Sequence, residues 1–362
     1  WAVARLAAAG VPCCEDRHGN LLVGVDSLTD YRRRLRQRAA GPLALLIAHM
    51  DHPGFHGSRW RADGLLEIRW HGGGPVRHLT GARVWLRADD GAELGGRLQR
   101  PRLDPRTRRL LGAEVRLDTD PGRRPAARRW YGGLAFRAPC WSAGNRLYTR
   151  AADDLAGVFA VVETACALQS VSARRRPGAE VLGLLTRAEE VGFVGALAHL
   201  DDGWLQQATR TLLCVSLEAS RQGPGALQGA GPVVRLGDRQ STFSAGAARR
   251  LELLAAELLP GAHQRRLMDG GVCEGTTTMA HGLTTAGLAV PLGNYHNCNL
   301  DGGADAGPPG GPAPEFIDTR DVAGLLALCR GFAERPWAAE PWAPVRARLA
   351  RLYRERGPAL RR

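Results

Sequence analysis

LLIAHMDHPGFHG, residues 45–57, joins an apolar run to a cluster of histidines and a carboxylate. The run starts at Pro42, just after Gly41, and carries no polar residue until His49; Asp51 and Pro53 then end it. A continuous apolar stretch closed by breakers at both ends reads as a buried strand. Its polar end, His49-Met50-Asp51, falls beyond the carboxyl end of that strand, where open α/β sheets carry their sites.

The same arrangement recurs along the chain. Asp16-Arg-His-Gly-Asn-Leu-Leu-Val-Gly reads as a hairpin turn at Gly19-Asn20 leading into a strand. Glu180–Thr186 and Thr211–Leu217 read as further buried strands, with a helix from about Val194 to Ala208 between them, and Thr284–Leu292 as another strand. Helical periodicity runs from Ala152 to about Gln169, Arg249–Leu259 is amphipathic, and a helix from about Thr319 to Ala333 has Asp318 as its N-cap. Gly302–Pro314 is a Gly/Pro-rich loop. From about Gly57 to Arg146 the texture differs: short alternating stretches (Leu65–Trp70, Ala82–Ala88, Ala113–Leu117) are separated by Gly, Asp and Pro turns, as in a small all-β insert. The expected class is therefore α/β, a mixed central sheet flanked by helices. Residues 1–57 and 147–340 form one discontinuous catalytic domain, 58–146 an inserted all-β domain, and 341–362 a basic C-terminal tail or helix.

Composition narrows the function. The formal net charge is +13, yet every basic residue is Arg and none is Lys, and the Arg-rich stretches are scattered rather than gathered on one helix. No zinc-finger or RNP signature accompanies them, so a nucleic-acid partner is not expected. The longest apolar runs fall short of the roughly 20 residues a bilayer span needs, so no membrane association is expected either. The eight cysteines have no CxxC spacing and read as reduced thiols, which points to the cytoplasm. The start, Trp1-Ala-Val-Ala-Arg, has neither Met nor a signal-peptide pattern, and the true N-terminus is expected upstream.

Five short segments follow apolar runs: His49-Met50-Asp51, Asp153-Asp154, Glu189-Glu190, Glu218 and Tyr295-His296. Taken singly, each is an ordinary feature: a turn histidine, helix N-terminal acids, a solvated glutamate pair. Together they supply what two divalent ions about 3.5–4 Å apart require, a shared carboxylate with a His and a further carboxylate on each side. The adjacent glutamates leave one carboxylate free to act as a base. The set reads as a two-metal hydrolase.

These motifs resemble those of the co-catalytic zinc exopeptidases, within them the TET-type and glutamyl aminopeptidase family. LLIAHMDHPGFHG is similar to that family's HxD segment, LYTRAADDLAGVFAVVE (147–163) to its ALDDRxG helix start, LTRAEEVGFVGA (185–196) to its xxQEEVGxxGA, and GLAVPLGNYHN (287–297) to its IPxRYxHS. The resemblance implies that the insert is β-barrel-like. It implies that His49 binds the first ion, that Asp153 bridges both, that Glu190 and His296 bind the second, and that Glu218 is a further ligand. Asp51 would accept from the second ring N–H of His49 and fix its tautomer. Glu189 would be the general base. Glu218 stands where the family has Asp, and Glu274 in Gly270-Gly-Val-Cys-Glu-Gly stands at the Asp of its GGTDA. Glu274, His52 and Tyr295 are assigned to substrate binding, His56 to the pocket wall, and Asn294 replaces a residue that is often Arg. Zinc suits the ligands, with cobalt or manganese as substitutes. The implied activity is aminopeptidase action on short peptides by a homo-oligomer built through the insert. The rivals are a carboxypeptidase or N-acyl amino acid deacylase of the same clan, and a non-catalytic peptide-binding relative.

Overall fold

In the computed structural model, which describes residues 1–88, 91, 93–122, 124–170, 177–336 and 341–361, helix α1 (Ala2–Ala8) precedes the hairpin expected around Gly19. Its strands β1 (Cys13–Glu15) and β2 (Leu21–Val23) pair antiparallel. Asp16 closes the turn by accepting from the amides of His18 and Asn20. After α2 (Leu28–Arg36) comes β3 (Leu43–His49), buried at every position. Its period-two alternation divides the apolar run between two cores. Ala44, Leu46 and Ala48 enter one, and Leu43, Leu45 and Ile47 the other.

Six strands then form a closed barrel: β4 (Gly54–Trp60), β5 (Leu66–His71), β6 (Arg83–Ala88), β7 (Leu94–Leu103), β8 (Leu110–Leu117) and β9 (Trp130–Leu134), in the order β4-β5-β8-β7-β6-β9. Closure leaves no unpaired edge, and Phe55, Ile68, Leu86, Leu98, Val115 and Trp130 fill the interior. The chain returns through β10 (Cys140–Ala143) and β11 (Arg146–Thr149) to α3 (Leu155–Gln169), β12 (Glu180–Thr186), α4 (Val194–Asp201), β13 (Leu212–Arg221), β14 (Val233–Asp238), α5 (Ala245–Leu258), β15 (Gln264–Met268), α6 (Glu274–Ala280), β16 (Thr285–Leu292), β17 (Glu315–Asp318), α7 (Thr319–Glu334) and α8 (Ala343–Arg356).

The central sheet is mixed, with order β1-β2-β12-β3-β13-β16-β14-β15. Strands β12, β3, β13 and β16 run parallel, while β2 and β14 join antiparallel. Helices α1, α3, α5 and α7 cover one face; α2 and α4 cover the other. Strands β10, β11 and β17 form a separate small sheet. Asp318 caps α7 as expected, accepting from the Arg320 amide. Helix α4 is shorter than the periodicity suggests, because Gly203 takes φ +72° just after it, a conformation that ends helices. Among the described residues no helix is long and apolar enough to cross a membrane.

Candidate metal centre

Four parallel strands deliver their carboxyl ends to one edge of the sheet. His49 is the last residue of β3 and pairs in register with Thr186, the last of β12, which places Glu189 and Glu190 in the turn just beyond. Glu218 lies in β13, opposite Ala289 of β16. The turn after β16 carries His296, where Asn294, His296 and Asn297 all adopt positive φ, of 55°, 54° and 56°. Asp153 lies just before α3, joined to Asp154 by a cis peptide bond, and Asp154 caps that helix by accepting from the Gly157 amide.

The side chains converge in two sets that share Asp153: His49, Asp153 and Glu218, and Asp153, Glu190 and His296. In the first, His49 Nε2 lies 3.4 Å from Asp153 Oδ1 and 3.7 Å from Glu218 Oε1. In the second, His296 Nε2 lies 3.3 Å from Glu190 Oε2 and 3.6 Å from Asp153 Oδ2. Ligands bound tetrahedrally at about 2.0–2.2 Å sit about 3.3–3.6 Å apart, so the observed spacing fits an ion in each set. Asp153 Oδ1 and Glu190 Oε1 are buried with no hydrogen-bond partner, which such an ion would supply. His49 Nδ1 lies 3.0 Å from the backbone carbonyl of Asp51. A carbonyl only accepts, so Nδ1 carries the proton and Nε2 is free to ligate.

That contact corrects one expectation. It is the Asp51 carbonyl that orients His49; the nearer carboxylate oxygen is 3.8 Å away. The carboxylate instead accepts from the amides of Glu189, at 3.0 Å, and Glu190, at 3.1 Å, and so fixes the turn that aims both glutamates.

Crowded carboxylates dominate the electrostatics. Burial pushes the Glu189 carboxyl up to about 9; His49 pulls the other way, and Glu190, Glu274 and Asp153 reinforce the rise. Burial also raises Glu218, reinforced by Asp153. Burial opposes the His49 imidazolium, but the carboxylates of Asp153, Glu189 and Glu218 around it win and raise it. Burial leads both carboxylate shifts and neighbouring negative charge adds to them, and two dications would counter both.

The remaining expected residues divide. His52 sits against the centre, its Nδ1 2.6 Å from the Asp153 carbonyl and its Nε2 3.1 Å from Asn297 Oδ1. Both His52 and His56 line a cleft of about 840 Å³ between barrel and sheet, with Phe55, Trp85 and Tyr131 as its aromatic wall. Tyr295 stacks on His296 with ring centroids 3.7 Å apart. Glu274 is buried at the start of α6, accepts from the Thr186 hydroxyl and leaves Oε2 without a partner. Asn294 is used up by the loop after it, donating to the carbonyls of Gly302 and Pro314 and accepting from the amides of Leu300 and Asp301.

Two buried groups escaped the sequence reading. Glu315 of β17 accepts from the amides of Ala152 at 2.7 Å, Asp153 at 3.1 Å and His296 at 2.9 Å, tying the shared ligand to the last one. Arg235 of β14 is 2% exposed, and its Nε and Nη1 have no hydrogen-bond partner. Gly73, in the turn after β5, approaches His296 so closely that a Cβ there would fall 2.0 Å from its Nδ1. The barrel therefore reaches the metal centre.

A family model described as M42 glutamyl aminopeptidase matches residues 33–300. No curated protein matches by sequence. Among solved structures, an aminopeptidase from the archaeon Desulfurococcus kamchatkensis is similar at 19% identity and TM-score 0.67, over 94% of this chain and 89% of that one. The TET1 peptidase of Pyrococcus horikoshii, which assembles into a tetrahedron or a large octahedral shell, is similar at 19% identity and TM-score 0.68, over 91% and 92%. A TET aminopeptidase from a marine-sediment Thaumarchaeota archaeon gives 17%, TM-score 0.68, over 92% and 89%.

Proposed function

This chain belongs to the M42 glutamyl aminopeptidase family, a family of metal-dependent hydrolases of peptide bonds, and we propose that it is a two-metal aminopeptidase acting on short peptides. The observation that carries this reading is the pair of ligand sets sharing Asp153. When bound, two divalent ions supply Lewis acidity, polarising the scissile carbonyl and acidifying a water. Zinc is the expected metal, with cobalt or manganese as replacements, since imidazole and carboxylate suit all three.

The protein's own groups do the rest. Glu189 belongs to neither set, and its Oε2 lies 3.9 Å from His49 Nε2, beside the ligands. As general base it takes the proton of the attacking water and returns it to the leaving amine. Asp51 holds Glu189 and Glu190 in place through their amides. His52 and Tyr295 pack against the ligands and bound the substrate's position, while the wall of Phe55, Trp85 and Tyr131 excludes water from one side.

Action from the amino end is supported by the family's description and by the named aminopeptidases of the same fold. A homo-oligomer is supported by the shells formed by the TET1 peptidase, and we propose that the barrel insert makes its contacts. The eight cysteines are all unpaired, which supports the reducing cytoplasm. A second reading, as carboxypeptidase or deacylase, is favoured by Glu218 in place of Asp. The metal-loaded protein should hydrolyse aminoacyl-anilides and spare N-acyl amino acids. The opposite preference establishes the second reading, and activity on neither, with both ions bound, leaves a peptide binder.

A further inference from the structure

The turn that follows β5 reads His71-Gly72-Gly73-Gly74-Pro75, and its three glycines answer different demands. Gly72 and Gly74 take φ of 78° and 155°, so the backbone itself calls for glycine at both. Gly73 lies outside that left-handed region. A glycine where the backbone would accept another residue only adds to the entropy lost on folding. What excludes a side chain at Gly73 is His296. A Cβ there would fall 2.0 Å from Nδ1, 2.8 Å from Cε1 and 3.1 Å from Cγ of that ring, whereas ordinary contact begins near 3.4 Å.

We propose that Gly73 is a positioning residue for the second metal site: the barrel's turn is the stop against which His296 is set, which makes the insert a part of the centre. The proposal rests on the two-metal reading, because only there does the ring position of His296 matter.

The stop works because the backbone on both sides is fixed. On the barrel side, the Gly73 carbonyl accepts from Trp70 Nε1 at 2.8 Å, and Trp70 is buried in the barrel core beside Phe55. Gly72 rests on Pro53, where a Cβ would come within 3.1 Å. On the sheet side, the His296 amide donates to Glu315 at 2.9 Å, and its ring stacks on Tyr295. Nε2 then faces Glu190 Oε2 at 3.3 Å and Asp153 Oδ2 at 3.6 Å.

A side chain at position 73 leaves the ring one escape, rotation about its own side-chain bonds, and that carries Nε2 away from both carboxylates. Metal sites tolerate little of this, since ligand nitrogens must stay within about 0.2 Å of the roughly 2.0–2.1 Å bond length. A clash that needs well over an ångström of relief therefore costs the second ion. His49 and Glu218 take no part in the clash, so the first ion keeps its own ligands.

The plainer role for Gly73 is close packing of barrel on sheet. Packing alone predicts lower stability and no difference between the ions. Positioning predicts the opposite, because in the metal-free protein the ring is free to swing aside.

The test is a calorimetric zinc titration of the metal-free protein, with its urea midpoint, for the unaltered chain, Gly73→Ala, His296→Ala and the double variant. The ion that His296→Ala loses is the second one. Gly73→Ala should weaken that same ion by about 10–100-fold, the usual cost of disturbing a group behind a ligand. It should leave the other ion within a few-fold and keep the urea midpoint. In the His296→Ala background it should change nothing further, because the partner of the clash is gone. Unchanged binding of both ions by Gly73→Ala overturns the proposal, and so does a loss shared by both ions or a lowered midpoint that persists in the double variant. Should Gly73→Ala alone not fold, recovery of folding in the double variant sustains the proposal, and continued failure sinks it. Fewer than two ions on the unaltered protein means that the two-metal reading fails, and the proposal falls with it.

Discussion

Glu315→Gln asks whether one buried carboxylate holds the two ligand sets in register. Its Oε2 accepts from the amides of Ala152 and Asp153, and its Oε1 from the amide of His296. Glutamine keeps the shape but replaces one oxygen with a donor. The least damaging orientation keeps the oxygen toward Ala152 and Asp153 and turns the nitrogen toward the His296 amide. One buried N–H is then orphaned, costing about 1–3 kcal/mol. His296 also adopts φ 54°, a conformation that persists only when its surroundings hold it. Release of that amide therefore loosens a ligand, and groups one step behind a ligand typically cost about 10–100-fold in metal affinity when altered. Competition against a chromogenic chelator, with urea unfolding of the metal-free protein, reads both quantities. We expect at least one of two zinc affinities to fall by about 10–100-fold and unfolding stability by about 1–3 kcal/mol. Unchanged affinities together with an unchanged urea midpoint would refute the reasoning.

Glu189→Gln should retain both ions and the fold but lose turnover by about 10²–10⁴-fold, the usual worth of a general base; undiminished hydrolysis removes Glu189 from the mechanism. Burial pushes Asp16 upward, but its hydrogen bonds with His199, Asn20 and the His18 amide outweigh this and hold it at about 2. Its folded value lies below the unfolded one, so the stabilisation is present above about pH 4 and is lost as pH falls toward 2, amounting to about 2 kcal/mol. Asp16→Asn should flatten that part of the stability profile, and an unaltered acid limb in urea melts contradicts the assignment. Light scattering on dilute protein should report at least a dimer, and a monomer at micromolar concentration with full peptidase activity ends the oligomer proposal.

What could be read from the sequence follows from local pattern. Leu43–Ala48 and Ala286–Leu292 contain no polar side chain, so their strands and the polar residues that follow them were legible. Strands β14 and β15 were not, because Arg235 and Gly237 interrupt the first and Arg265 and Arg266 the second. A buried arginine looks, in sequence, like a break in a strand. Glu315 gave no spacing signal, since its partners are backbone amides 19 and more than 160 residues away. A carboxylate inside the apolar run Ala313-Pro-Glu-Phe-Ile was the available clue. The resemblance implied the Asp51 carboxylate as the partner of His49, whereas the carbonyl of the same residue is better placed.

The central claim is that one carboxylate bridges two ions. Anomalous diffraction from crystals of the zinc-loaded protein tests it most directly. The account predicts two peaks about 3.5–4 Å apart, one beside His49 and Glu218, the other beside Glu190 and His296, with Asp153 between them. A single peak, or two that do not share Asp153, would contradict it.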